Sequence, residues 1–212
     1  MAFWPFGKTI PAIMLVSVAF AAPAVADQFE QDVLAELNYA RSHPAEYAQE
    51  LQRYREAFDG RLVHLESPTG DLMTREGVAA VDEAVDFLRN QPPLPPLQGS
   101  SLLATAAFDF ASEQGEAGQT GHISAGGLTP GQRVQRRGGG IYVGETIAYG
   151  SLSPSDVVRQ LIIDDGVADR GHRKLIFDGR LRTAGAGCSR HRVWRLVCVI
   201  DYGQTADGRP GR

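Results

Sequence analysis

Beyond its first 26 residues the chain has no apolar run long enough to cross a bilayer, no surplus of positive charge and no phosphate-cradling glycine motif of the Walker type, and it has only two cysteines in all. The first absence excludes a membrane-spanning helix in the body of the chain. The second excludes the electrostatic footprint of nucleic-acid binding, since 21 Lys and Arg stand against 25 Asp and Glu, a net charge of −4. The third leaves Gly138-Gly139-Gly140 as a turn signal and nothing more. The fourth limits covalent cross-linking to one bond, Cys188 to Cys198, which an oxidising compartment would permit.

The N-terminus bears on that compartment. Lys8 is the only charge in residues 1–26, an apolar run extends from Ile10 to Ala22, and Ala24-Val25-Ala26 has the small-x-small pattern of a signal-peptidase site. An uncleaved membrane anchor is the competing reading. The run is short for a span and Pro11 interrupts its start, so a cleaved secretory signal is expected, with the mature chain starting at Asp27. Loss of Lys8 leaves 20 basic against 25 acidic residues, about −5, in a chain long enough for one domain with a sizeable core.

Helical periodicity dominates the first half. Phe29, Val33, Leu34 and Leu37 predict one helix up to Ser42, and Tyr47, Leu51, Tyr54 and Phe58 predict a second, with Pro44 in its first turn. His43 is then a capping or junction residue. His64 falls in Gly60–Thr74, whose Ser67-Pro68-Thr69-Gly70 marks a hairpin or ordered loop. Thr74 is expected to cap a third helix through Val78, Val81, Val85 and Leu88, which stops at Pro92-Pro93-Leu94-Pro95-Pro96. That run could be an SH3-type ligand elsewhere; between two apolar helices it is expected to be a rigid spacer packed on the domain. Ser100 or Ser101 should cap a fourth helix buried through Leu103, Ala106, Ala107 and Phe110.

From Glu113 onward glycine becomes frequent, and a long loop of this kind often carries function. His122 and Glu145 stand at its two ends. Ser153-Pro154-Ser155-Asp156 then starts a helix through Val157, Val158, Leu161 and Ile162. Asp164 lies three residues after Leu161 and seven after Val157, at the end of the apolar stripe; Asp165 has a similar claim through Val158 and Leu161, and one of the two should point inward. His172 follows between Gly171 and Arg173. Two imidazoles and two carboxylates are the ingredients of a divalent-metal or an acid/base site, although each alone has a plainer reading as a capping, turn or surface residue.

The chain closes with sheet. Ala184–Ser189 and Val193–Tyr202 flank a short turn, and the second run is apolar on both faces, which places it between helical layers. Centring the hairpin near Val193 sets Cys188 opposite Cys198, and a disulfide there would add about 2–3 kcal/mol. His191 falls in the turn and is expected to be solvated.

The chain resembles a bacterial member of the CAP superfamily, the cysteine-rich secretory, antigen 5 and pathogenesis-related 1 proteins, also called SCP domains. The likeness starts at Leu37-Asn38-Tyr39-Ala40-Arg41 and resumes at Pro95-Pro96-Leu97. It is densest in His122, Leu128-Thr129-Pro130-Gly131-Gln132-Arg133-Val134, Gly144-Glu145-Thr146-Ile147-Ala148-Tyr149-Gly150 and Gly171-His172-Arg173-Lys174-Leu175-Ile176-Phe177. Ala184-Gly185-Ala186-Gly187 fits as well. Thr146 stands where the family usually has asparagine, and Leu161 where it usually has tryptophan. The resemblance implies an α+β fold, a three-layer α-β-α sandwich with a central antiparallel sheet. One domain over 27–205 is implied, with an inserted helix-containing segment at about 60–90 and a tail at 206–212.

It also implies a cavity of His122, Glu145, Asp164 and His172, with Asp165 as alternate for the second acid, able to take zinc or another divalent cation on the two imidazoles. A secreted or periplasmic binding module for a lipid, sterol or protein ligand is the expectation. The alternative is a metal-dependent or acid/base hydrolase of protease or esterase type with Glu145 as base and both histidines in the site; a serine-dependent form through Ser151 is its weakest variant.

Overall fold

In the computed structural model, residues 1, 28–64, 70–151 and 153–211 are described. The expected leader, its cleavage site and the Ser67-Pro68-Thr69 turn lie outside them. Four strands form the main sheet: β4 (Gln98–Gly99), β5 (Val143–Tyr149), β6 (Thr183–His191) and β7 (Arg195–Gly203), in the order β4-β6-β7-β5. All neighbours are antiparallel except the two-residue edge pair β4–β6.

The apolar stripes of β7 explain the layers. Val197 and Val199, with Ile147 of β5, bury against Ala107, Phe110 and Ala111 of α4 (Ser101–Ala117). Cys198, Ile200 and Tyr202 face the other way into the core made by α1 (Gln28–Ser42), α2 (Pro44–Arg55), α3 (Val78–Asn90), α6 (Pro154–Ile163) and α7 (Gly171–Ile176). The α+β three-layer sandwich follows from this two-sided burial. On the α4 side the approach is so close that a Cβ at Gly185 or Gly187 would come within 2.1 Å of the Ala104 or Phe108 backbone nitrogen. Glycine in β6 is therefore a packing requirement.

Cys188 sits opposite Cys198 in the β6–β7 ladder and is disulfide-bonded to it. The proline run is held against the domain: Asn38 accepts from Leu97 N–H and donates to its carbonyl, at 2.7 and 2.9 Å, while buried Arg41 donates to the Pro95 and Ile176 carbonyls. The Pro44 and Pro154 starts and the Ser100 and Ser153 caps are as the sequence indicates.

Several local expectations change. Phe58 has left the second helix, which ends at Arg55; it sits in β1 (Phe58–Asp59), which adds a third strand to the antiparallel pair β2 (Leu62–Val63) and β3 (Leu72–Met73), the hairpin expected within Gly60–Thr74. Thr74 does not cap α3. Its hydroxyl and N–H both bond to the Arg61 carbonyl, and Gly77 occupies the N-cap with φ +70°. His43 takes the N-cap position of α2 without a capping bond from its side chain, and its ring stacks on Tyr39. His191 is buried, not solvated: its Nδ1 accepts from Val193 and Trp194 N–H and its Nε2 donates to the Gln119 carbonyl. Residues 207 and 208 pair with Gly140 and Tyr142, so this part of the C-terminal segment is packed on the domain.

Candidate functional site

One arm of the site is built on the α4 side. The chain leaving α4 turns through Gly121, whose N–H donates to the Tyr149 hydroxyl at 3.0 Å and whose carbonyl accepts from Gln114; the same hydroxyl donates to Gln114 at 2.8 Å. This fixes the backbone beside His122. A Thr129–Gln132 capping box then starts the short helix α5 (Pro130–Arg136). It delivers Arg133, whose guanidinium lies 3.6 Å above the Phe110 ring and donates to the His122 carbonyl at 2.9 Å and to Glu145 Oε2. Glu145, its side chain 1% exposed, gives Oε1 to His122 Nδ1 at 2.8 Å.

The second arm is local. Asp164 ends α6 in the left-handed conformation, φ +59°, and its carboxylate turns back over the start of α7. Oδ2 accepts from the N–H groups of His172 and Arg173 at 2.9 and 3.3 Å, and Oδ1 pairs with His172 Nδ1 at 2.6 Å. Asp165 faces away, accepting from Arg75 and Glu76 N–H. Of the two acids, Asp164 is the one at the site.

The arms meet. The His122 and His172 ring centres are 6.3 Å apart with planes at 42°. Ionised carboxylates only accept, so each imidazole donates through Nδ1 and keeps its lone pair on Nε2. An ion held by both Nε2 atoms, with bonds of ~2.0–2.1 Å and a tetrahedral angle, would set the ring centres about 5 Å apart. The rings would have to close by about 1 Å to share an ion. They supply two nitrogens and no more: among the described residues no group of three or more His, Cys, Asp or Glu side chains is arranged to hold a metal. The residues therefore fit an ion whose remaining positions are filled by water.

Two members of the site escape a reading by motif. Arg133 is one, detectable only through its capping box. Asp201 is the other, directly opposite Glu145 in the β5–β7 ladder, fully buried, and with no donor for either oxygen. Burial first, and the Glu145 charge second, push its carboxyl well above the usual range against the pull of Arg133. A neutral Asp201 can donate to Glu145. Its signal in the sequence is a single acid in an otherwise apolar strand. Ser151 is buried with no partner for its hydroxyl, past the far end of β5, and Glu145 to Tyr149 alone spans about 13 Å of strand. His64 pairs with Asp71 on the surface.

The three-layer sandwich is the fold of one class of domain, the CAP or SCP domains. Residues 82–202 match the model of the cysteine-rich secretory protein family, and the chain belongs to that family. No curated protein matches it. Among the solved structures that resemble it are three with TM-scores below 0.5. An outer surface protein of Borrelia burgdorferi is 19% identical, TM-score 0.43, over 51% of this chain and 77% of that one. An extracellular SCP-domain protein of Bacillus anthracis is 19% identical, TM-score 0.44, over 59% of this chain and 37% of its own length. BmVAL-1 is 16% identical, TM-score 0.40, over 88% and 84%. No helix among the described residues is long and apolar enough to cross a membrane.

Proposed function

We propose that the chain is an exported binding module whose cavity takes a divalent cation, zinc or a related ion, on His122 Nε2 and His172 Nε2, and that it engages a lipid-like, sterol or protein ligand. The observation that carries this is the pairing of both Nδ1 atoms with buried carboxylates while both Nε2 atoms stay free, 6.3 Å between ring centres. Each carboxylate fixes the tautomer and orientation of its ring. When bound, the ion would supply a Lewis-acidic position with open coordination. Arg133 and Asp201 hold Glu145, and Glu145 holds His122.

Hydrolysis is the second reading, favoured by one feature: a histidine oriented by a carboxylate, with a free Nε2, is an acid/base group. The base would then be a histidine. Both Glu145 oxygens are engaged, one by His122 and one by Arg133, and its side chain is 1% exposed, so it has no free oxygen for a substrate proton. Ser151, without a histidine partner, lacks an activating base.

The test is zinc titration by calorimetry on tag-free protein. Saturable 1:1 binding is expected, weakening on acidification because protons compete for the same nitrogens, and His122→Ala or His172→Ala should each reduce affinity at least tenfold. Unchanged affinity in both variants would remove the proposal. Peptide and ester turnover, lost in the double variant, would move the assignment to hydrolase.

A further inference from the structure

The segment that leads into and begins α3 is bonded, through Arg75, Glu76 and Glu83, to the loop that presents one of the two imidazoles. Residues 164–170 connect Asp164 to the start of α7, and His172 lies two residues further on. Both ends of the loop, Asp164 at φ +59° and Arg170 at φ +52°, are non-glycine residues in the left-handed region. Such residues persist where the surroundings hold them, and they cluster at functional sites.

The surroundings here come from residues 75–83. Asp165 accepts from Arg75 N–H at 2.7 Å and Glu76 N–H at 2.8 Å, and Gly166 N–H donates to Glu76 Oε1 at 2.6 Å. The Arg170 guanidinium sits between two acids. It makes a bidentate pair with Glu76, both bonds 2.6 Å, and donates to Glu83 through Nε at 3.0 Å and through a terminal nitrogen at 2.6 Å. The same group donates inward to the Asp164 carbonyl at 2.8 Å and the Val167 carbonyl at 3.2 Å. One planar cation therefore joins the anchor, the loop and the residue whose carboxylate holds His172. Arg173 adds a parallel tie to Glu83 at 3.0 Å.

We infer that Arg170 is a positioning residue for His172, and that residues 75–83 are the anchor through which it acts. The importance of a fixed His172 for ligand binding rests on the function proposed above; the positioning does not. A guanidinium is required, because an ammonium has no planar fork to reach Glu76, Glu83 and the loop carbonyls together. Loss of the fork frees Arg170 to leave the left-handed region, and α7 then starts without the turn that brings His172 Nδ1 to Asp164.

Nitrogen-15 NMR of the full chain, resolved for each histidine, tests this, because the imidazole nitrogens report which tautomer each ring holds. In Arg170→Ala, His172 is expected to lose at least half of its Nδ1–H tautomer while His122 keeps its own; Arg170→Lys should fall between. A purely structural role would lower the melting temperature without this asymmetry. The inference is overturned if His172 is unchanged in the folded variant, or if both histidines change together. Should Arg170→Ala not fold, Glu76→Gln gives the same comparison, since it keeps an acceptor for Gly166 and removes a charge from Arg170. A wild-type protein that binds no zinc, in a chain showing the asymmetric loss, would remove the proposed function and leave this inference standing.

Discussion

The two imidazole–carboxylate pairs have similar local geometry and opposite support. His122 and Glu145 are 23 residues apart, and Glu145 is held inside the sandwich by Arg133 of α5 and Asp201 of β7. His172 and Asp164 are eight residues apart, and their loop is held from outside by ion pairs to Glu76 and Glu83, whose side chains are 36% and 50% exposed. The first pair depends on the core, the second on surface charge. A buried charge set fails when one member is removed, because the rest are left unpaired in a poor solvent. An exposed set weakens gradually with salt and acid.

Removing Arg133 should break the comparison most severely. Arg133→Met keeps much of the apolar stem that packs on Phe110 but leaves buried Glu145, beside Asp201, without a cation. A loss of about 3–5 kcal/mol in unfolding free energy is expected, read by denaturant titration. A loss below about 1 kcal/mol would show that the Glu145 arm is not supported from the core.

The same contrast explains what can be read in the sequence. The helices α1, α2, α4 and α6 announce themselves by apolar spacing and by Pro44, Ser100 and Ser153, because each turns one stripe toward a face of the sheet. The Cys188–Cys198 register follows from a turn midpoint. The inward-turning acid of the second arm is legible to within one residue, from the end of an apolar stripe, and only the bonds of Asp165 to Arg75 and Glu76 N–H leave Asp164 as the one at the site. Arg133 and Asp201 are not, since their importance arises only when α5 and β7 meet β5. Helix α5, seven residues long, is too short for periodicity to reveal. His191 misleads for a related reason: a histidine in a turn is ordinarily solvated, and only the packing of the turn on Gln119 buries it. At Thr74 the capping signal loses to a tertiary bond with Arg61.

Asp201 sharpens the contrast through protonation. Its folded carboxyl is raised above the ordinary value, so the folded state keeps a proton that the unfolded chain releases as pH rises. The stability it contributes is fully present below the unfolded value of 3.8 and is lost as pH climbs through the raised one. Asp201→Asn, whose amide can still donate to Glu145, should escape that loss. At pH 8 the variant is expected to be more stable than wild type by about 1 kcal/mol, and at pH 4 the gain should nearly vanish. A variant less stable at both values would place an ionised Asp201 beside Arg133 instead.

Glu76 has the opposite sign and the smallest effect. Hydrogen bonds from Arg170, and then from Gly166 N–H, pull its carboxyl down to about 2 from an ordinary 4.5. The folded state therefore holds a charge that the unfolded chain loses first on acidification. The contribution is present above about pH 4.5 and disappears as pH falls through about 2. Because the Glu76 side chain is 36% exposed, solvent screening limits it to under about 1 kcal/mol. Comparing the melting temperatures of Glu76→Gln and wild type at several pH values should give a small deficit near pH 6 that fades toward pH 2. Raising ionic strength at pH 6 should shrink it as well, because the pair is in contact with solvent. A deficit that ignored salt and pH would mean that the Gln side chain disturbs the loop by shape, and the outer arm would then depend on packing as the inner one does.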